Sequence, residues 1–240
     1  MSSQYRRCLV LLAISIVITP AALLAAVVPS HVRVVSVSYS VGDVNIVEPG
    51  SSDPAAAPMN TPIRDGATLK TGDNSYAEVE FENGSTVRIG ERSQLEFKQL
   101  AVTPQGDTLN TLHLEFGYAT FHFMPRHHDE DTVQALDTTL QALGSAEFRT
   151  DIYDEALRVE VISGKVHAAR AAEAQNQDLS KNKVLALIWK VPESFRITEG
   201  FTKDVWDKWV QARDLKALLR SNRGALGGST IGDETFGLYH

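Results

Sequence analysis

The chain has 240 residues, of which 43% are hydrophobic and 22% are charged, and its formal net charge at pH 7 is −7. This composition is typical of a globular protein with a sizeable core and argues against disorder over most of the length. The acidic balance, with Lys and Arg scattered among carboxylates, argues against a nucleic-acid partner. The only cysteine is Cys8, so the chain forms no internal disulfide.

Residues 1–26 have the pattern of an export signal. Arg6 and Arg7 form a positively charged start, an apolar run follows, and small residues precede a predicted cleavage site after Ala26. Residues 9–28 are also about long enough to remain as an uncleaved membrane anchor, and this alternative stays open. We therefore expect a periplasmic or secreted protein, or one that this segment anchors in the inner membrane.

Strands are predicted from residue 32 onward by alternation of apolar and polar residues. Val35, Val37, Tyr39 and Val41 alternate with serines, which predicts one strand with these four side chains on its buried face. Residues 49–58 are rich in Pro, Ser and Ala and predict a surface loop.

The clearest pattern lies in residues 65–98, which predict three consecutive antiparallel strands. Apolar residues occupy the odd positions of residues 76–82, while Glu78, Glu80 and Glu82 occupy even positions, so the glutamates are predicted to share a solvated face. Asn83-Gly84 predicts a type I′ hairpin turn, and the alternation resumes after it with Arg88 on the outer face. Residues 94–98 are predicted to return across the same sheet.

A weak glycine repeat accompanies the later strands. Gly42, Gly117 and Gly164 each stand before a short strand that has a small or branched apolar residue two positions on. The glycines are typical either of ordinary turns between strands or of stacked hairpins in a β-solenoid, and both interpretations stay open.

The C-terminal third is predicted to differ from the strands before it. Residues 169–183 lack aromatic residues and predict a linker or long loop. Residues 184–220 predict a further strand and then an amphipathic helix over about 203–220, with Thr202 as its cap. Residues 221–240 predict a flexible tail.

Several motifs together resemble the FecR domain, an extracytoplasmic β-rich module of Gram-negative bacteria. The most specific are Leu69-Lys70-Thr71-Gly72, the hairpin Gly84-Ser85 and Val87-Arg88-Ile89, and the resemblance covers residues 32–168. It implies an all-β fold, a β-solenoid or two-layered antiparallel domain, here followed by a C-terminal α-helix. It also implies a role in protein–protein contact in the periplasm, as in iron-uptake signalling.

The resemblance has one departure. Regulators of this kind carry a cytoplasmic sigma-factor-binding segment before a transmembrane helix, and only a short stretch precedes the apolar run here. Sigma-factor contact is therefore not expected. Residues 204–214 resemble the segment that follows the domain in secreted, non-regulatory relatives, which favours export.

The sequence predicts no catalytic residue and no cofactor, because none of the nucleophile, phosphate-loop or metalloprotease motifs is present. His127, Asp129 and Asp131 would share a face of an extended strand, as a divalent metal site requires, but a solvated loop has the same pattern, so no metal is predicted. Candidate interaction residues are the three glutamates, Arg88 and the tryptophans Trp206 and Trp209. We expect a non-enzymatic module that contacts an envelope protein; the alternative is an envelope structural or polysaccharide-binding protein.

Overall fold

The structure is a computed structural model that describes residues 33–170 and 175–227. The predicted export signal and residues 228–240 of the predicted tail lie outside this part, whereas residues 221–227, also predicted as tail, instead continue the C-terminal helix. The described residues are mostly β, with one C-terminal helix. Among them, no helix has the length and apolar content that crossing a membrane requires.

The elements follow one another along the chain as β1 (Ser36–Val41), β2 (Val44–Val47), β3 (Ala55–Ala56), β4 (Thr68–Thr71), β5 (Tyr76–Glu80), β6 (Thr86–Ile89), β7 (Gln94–Val102), β8 (Thr108–Phe123), β9 (Glu130–Ala135), β10 (Thr138–Ala142), β11 (Ala146–Tyr153), β12 (Ala156–Ser163), β13 (Lys165–Arg170), β14 (Gln175–Ser180), β15 (Lys183–Ile188), β16 (Val191–Glu199) and α1 (Val205–Gly227).

Hydrogen bonds join the sixteen strands into one large open sheet through the long strand β8. The C-terminal half of β8 pairs with β6 and β11, and these strands belong to a section that we call sheet A. The N-terminal half pairs with β7 and, in parallel, with β9, in a section that we call sheet B. Apolar residues from both sections form one buried cluster. The mostly β prediction and the C-terminal helix are confirmed, whereas this pairing does not establish a β-solenoid.

The glycine repeat marks places where the chain passes between the two sections. Gly42 and Gly117 both have positive φ, 79° and 85°, which a residue with a side chain rarely adopts. After each glycine, the next backbone N–H donates to a serine hydroxyl, Ser75 for the first and Ser93 for the second, over 2.8 and 3.0 Å. A β-carbon on either glycine would lie within 2.4 Å of that serine's oxygen. Gly42 and Gly117 therefore share a local structure in which glycine is sterically required, whereas the third glycine, Gly164, lies against the backbone of Ser145 and Ala146.

The hairpin predicted at Asn83-Gly84 is present between β5 and β6, but its turn is of another type. The backbone N–H of Gly84 donates to the carbonyl of Phe81, and of the three loop residues 82–84 only Gly84 has positive φ. This is the longer hairpin loop, a type I turn followed by a glycine in the left-handed region. The predicted third strand also differs, because β7 leaves the hairpin after Ser93 and pairs with β4 and β8 in sheet B. Alternation specifies the buried face of a strand but not its neighbour.

A β-bulge corrects the prediction for the first strand. Val35 and Val37 are buried, but the pairing of β1 with β5 shifts between Val37 and Tyr39. Because one extra residue reverses the direction of every later side chain, Tyr39 and Val41 leave the core face, and Val41 is exposed.

The predicted linker over residues 169–183 is instead largely strand. It contains the end of β13 and the whole of β14, which pair in antiparallel register from Lys165 with Ser180 to Arg170 with Gln175. The polar composition that indicated a linker fits an edge strand, because β14 pairs on one side only among the strands that the structure describes.

Replacing Gly117 with Ala tests the steric requirement at the centre of β8. We expect Gly117→Ala to lower the free energy of unfolding by about 3 kcal/mol, since it combines the cost of positive φ with a clash against Ser93. The matched control is Gly144→Ala, where φ is also positive but no atom lies within 4 Å of the added carbon, and the expected loss is about 1 kcal/mol. Urea denaturation measures both, and equal losses would contradict the steric requirement.

Candidate functional site: the helix-covered face of sheet A

Helix α1 begins with a reciprocal cap formed by two aspartates. The carboxylate of Asp204 accepts from the backbone N–H of Asp207 at 3.0 Å, and the carboxylate of Asp207 accepts from the backbone N–H of Asp204 at 2.9 Å. Both carboxylates also lie at the positive end of the helix dipole. Asp204, rather than the predicted Thr202, is therefore the cap.

Beneath the helix, a row of polar side chains crosses five strands on the outer face of sheet A. Cross-strand pairing places its members side by side in the order Glu78, Arg88, Thr120, Arg149 and Glu160. The indole Nε1–H of Trp206 donates to the Thr120 hydroxyl at 2.9 Å, and Arg213 contacts Glu78 two strands away. From Trp206 to Arg213 the helix rises about 10.5 Å, and the two strand spacings from β8 to β5 span about 9.6 Å. A helix that runs across the strands therefore places both side chains over their partners in the row.

Charges of opposite sign connect the helix to this row at Glu78. Its carboxylate accepts from Arg88 Nε at 2.7 Å and from Arg213 Nη2 at 2.6 Å, and the hydroxyl of Ser38 donates to it at 2.9 Å. Asp214 of the helix pairs with Arg88 at 2.7 Å. Burial alone would raise the pKa of Glu78, but the hydrogen bonds from Arg213 and Arg88 lower it to about 2.

Aromatic rings fill the space beside this ion-pair network. Trp206 and Trp209 stack with ring centroids 4.8 Å apart, and Tyr76 lies 5.8 and 5.5 Å from them. Tyr118 meets Trp206 edge-on at 5.0 Å, and Tyr39 lies 6.0 Å from Trp209. Burial raises the pKa of Tyr118 to about 12. Such amphipathic rings suit a face that is both apolar and hydrogen-bonded.

Arg149 holds the start of the helix. Its guanidinium contacts Asp151 on the same strand at 2.7 Å and Asp204 and Asp207 of the cap at 2.8 and 3.4 Å. The guanidinium carbon also lies 5.4 Å from the ring centre of Tyr118. The helix is thus held at its first turn by Arg149 and two turns later by Glu78.

The predicted interaction residues do not form one solvated surface. Glu78 and Arg88 are buried beneath the helix, and on the helix itself Trp206 is buried and Trp209 half-buried. Only Glu80 and Glu82 are exposed, and Glu82 also pairs with Arg33 at 2.8 Å. The prediction of a solvated glutamate face is therefore wrong at Glu78, because α1 covers that part of the face.

Sequence reasoning missed the helix residue that completes the network. Arg213 is seven positions after Trp206, which places both on one side of a helix. That spacing was a usable signal, but a charged residue on the docking side has no obvious partner until the sheet register is known. Tyr39 was also missed, because the bulge in β1 cannot be read from alternation.

His127, Asp129 and Asp131 do not lie on one face of an extended strand, as a metal site there would require. His127 and His128 lie in a turn, and His128 has positive φ. Asp129 accepts from the backbone N–H groups of Thr108 at 2.7 Å and Arg126 at 2.8 Å, and so closes the turn. Asp131 is the second residue of β9, is 1% exposed and accepts from Asn110 Nδ2 at 2.6 Å.

Another set of side chains comes close enough to share a metal ion. Glu96, His113 and Glu115 on β7 and β8 place one ligand atom each within 4.8 Å of one another. His113 Nδ1 lies 3.4 Å from a Glu96 carboxylate oxygen. This distance is that of a partly exposed hydrogen bond or ion pair across two strands.

Removing Arg213 tests the contact between helix and sheet. We expect Arg213→Ala to lower the free energy of unfolding at pH 7 by about 3 kcal/mol, because it leaves part of the buried Glu78 charge uncompensated. In the parent protein, the stabilisation from Glu78 is complete above pH 4.5 and is lost as the pH falls towards 2, and the variant should show less of this loss. Arg92→Ala, which removes an exposed ion pair with Asp73, is the control and should leave the urea midpoint unchanged. Equal effects of the two substitutions would contradict the contact.

Neutralising Asp131 should stabilise the protein at neutral pH. Burial raises the pKa of Asp131 to about 6, more than the hydrogen bond from Asn110 lowers it, so ionisation costs stability as the pH rises from 3.8 to 6. We expect Asp131→Asn to raise the free energy of unfolding by about 2 kcal/mol at pH 7.5 and to have little effect at pH 3.5.

The neighbouring Asp129→Asn is the control with the opposite sign. Burial alone would raise the pKa of Asp129, but the two backbone hydrogen bonds hold it below its usual range, so this variant should be destabilised at pH 7.5. Thermal denaturation at the two pH values measures both. A destabilised Asp131→Asn variant at pH 7.5 would contradict the account of this residue.

Comparison with known proteins agrees with the resemblance noted from the sequence. Residues 67–167 match the FecR protein family. Two solved structures of a candidate anti-sigma factor from Parabacteroides distasonis ATCC 8503 are similar to this chain. The 1.65 Å structure has a TM-score of 0.50 at 18% identity, and the match covers 60% of this chain and 64% of that chain. The 2.50 Å structure has a TM-score of 0.48 at 17% identity, with 55% and 59% covered.

At 18% identity the likeness to the 1.65 Å structure concerns the fold alone, and this chain matches less than two thirds of that protein's length. A search of curated proteins found no match. The residues that match the family, 67–167, form the strands from β4 to the first part of β13. Residues 67–167 are therefore similar to the FecR family, both in sequence and in the strands that they form.

Proposed function

We propose that the protein is a non-enzymatic, extracytoplasmic FecR-domain module that acts in envelope signalling through contact with another protein. The observation that carries this proposal is the FecR family match over residues 67–167. The likeness to the fold of a candidate anti-sigma factor is compatible with a role in signalling. Export rests on the charged start and apolar run of residues 1–26.

The surfaces left for a partner follow from the position of the helix. Because α1 covers the centre of the outer face of sheet A, a partner meets that face at its margins. One margin holds exposed Glu80, and the other holds the groove beside the helix start, near the 78% exposed Tyr153. Within residues 33–170 and 175–227, strands β14 and β16 end the sheet order with one neighbour each, so each also offers a backbone edge to an added strand.

A second candidate function is glycan binding in the envelope. Tyr153 and Phe116 are 78% and 48% exposed and border the same groove on the outer face. Exposed rings of this kind can stack on sugar rings. Of the charged groups beside them, Arg92 already pairs with Asp73 and Glu91 accepts from the backbone N–H of Asn74, so protein contact is the better-supported function.

Recovery of a partner from the envelope tests the proposal. The full chain with a C-terminal affinity tag is expressed in the bacterium that produces it, cross-linked in the cell and purified from the envelope fraction. We expect one protein to be enriched in stoichiometric amount, and the purified pair to bind with a saturable affinity. Retention on purified peptidoglycan without a protein partner would favour glycan binding, and a chain confined to the cytoplasm would contradict export.

A further inference from the structure

A groove of about 560 Å³ lies beside the start of α1 on the outer face of sheet A. Its floor is formed by residues of β8, β11 and β12, and one wall by Thr202 and Asp204, which precede the helix. Tyr118, Arg149, Asp151, Tyr153 and Glu160 line it, together with Asp204 of the cap. The groove is far larger than a bare metal ion needs, and its size suits an organic group.

Negative charge exceeds positive charge in this groove. Arg149 is shared by three carboxylates, those of Asp151, Asp204 and Asp207. The second guanidinium, that of Arg158, pairs with Glu160. The lining thus holds three carboxylates, those of Asp151, Glu160 and Asp204, and two arginines, and Asp207 adds a fourth carboxylate that shares Arg149 from outside the lining. This imbalance is costly where burial weakens solvent screening.

Glu160 is the residue at which this imbalance is least relieved. It is 4% exposed, and its Oε2 has no hydrogen-bond partner among the described residues. A buried carboxylate oxygen without a donor carries an unrecovered desolvation cost. Burial raises the pKa of Glu160 and of Asp151, more than their arginine neighbours lower it. A positively charged donor would both hydrogen-bond the Oε2 atom of Glu160 and compensate the excess negative charge.

Two tyrosine rings make the groove suitable for an organic cation. The Arg149 guanidinium already lies over Tyr118, 5.4 Å from the ring centre, and shows that the ring accepts a cation. Tyr153 also lines the groove, is 78% exposed and offers a second ring. Guanidinium and ammonium groups are attracted to such ring faces, and their N–H groups donate to carboxylates.

We propose that this groove accepts one basic side chain, an arginine or lysine, from the protein partner. This inference rests on the proposed function and adds the chemistry of the contact. The basic group lies between Tyr118 and Tyr153 and donates to Asp151 and Glu160. A neutral glycan would satisfy a hydrogen bond but would leave the charge imbalance in place.

The test uses N-acetyl-arginine amide as the probe, added to the isotope-labelled full chain and followed by amide chemical shifts. We expect saturable shifts at Gly117, Ile152 and Thr202, which line the groove. N-acetyl-norleucine amide, a neutral probe of similar length, should bind at least tenfold more weakly. Equal binding of the two probes would overturn the proposal, as would arginine-amide shifts that do not saturate or do not map to the groove.

Two groove variants separate the carboxylates from the rest of the surface. Asp151→Asn and Glu160→Gln should each weaken arginine-amide binding at least fivefold, and dispersed amide spectra would verify that both still fold. Glu80→Gln, on the exposed margin, is the matched control and should not change binding. Unchanged binding in both groove variants would overturn the proposal. So would groove shifts with an N-acetylglucosamine trimer but none with the arginine amide.

Failure of the groove assignment can be distinguished from failure of the proposed function. If a protein partner is recovered but binds Glu160→Gln and the parent chain equally, the groove assignment fails and the proposed function stands. If no protein partner is recovered although the arginine amide binds in the groove, the assignment of a cation site stands and the proposed function fails.

Discussion

The contact between Glu78 and Arg213 determines how the C-terminal part of this protein is organised. Glu78 lies on the polar face of a strand that would otherwise meet solvent, and Arg213 lies on a helix 135 positions later. Their carboxylate and guanidinium meet at 2.6 Å with both side chains buried. A carboxylate that stays buried but loses its partner is strongly destabilising, so the helix can cover Glu78 only because Arg213 compensates its charge.

The covering helix gives sheet A two different buried faces. The inner face carries the apolar cluster that it shares with sheet B and follows the usual alternation of a half-buried strand. The outer face is buried by a polar and aromatic layer in which Trp206 donates to Thr120 and Arg149 holds the helix cap. Hydrophobic burial specifies the sheet, whereas hydrogen bonds and charge pairs specify where the helix lies on it.

Much of the fold could be predicted from the sequence because alternation is a local property. Val79 and Phe81 are buried as their positions predict, and Asn83-Gly84 lies in the loop of the hairpin as predicted. What covers the opposite face is not local, so the burial of Glu78 and Arg88 could not be predicted from β5 and β6. The bulge that turns Tyr39 outward also leaves no mark in the composition of β1. The groove was missed for a related reason, since Arg149 and Glu160 become neighbours only through the pairing of β11 with β12.

A double-mutant cycle between Glu78 and Arg213 measures the central contact most directly. Urea unfolding of the parent chain, Glu78→Gln, Arg213→Met and the double variant at pH 7 gives the coupling free energy of the two side chains. We predict a coupling of about 2 kcal/mol, together with a double variant that is more stable than the sum of the single losses implies. A coupling below about 0.5 kcal/mol would be the value for an exposed ion pair and would contradict a helix held on the sheet by this contact.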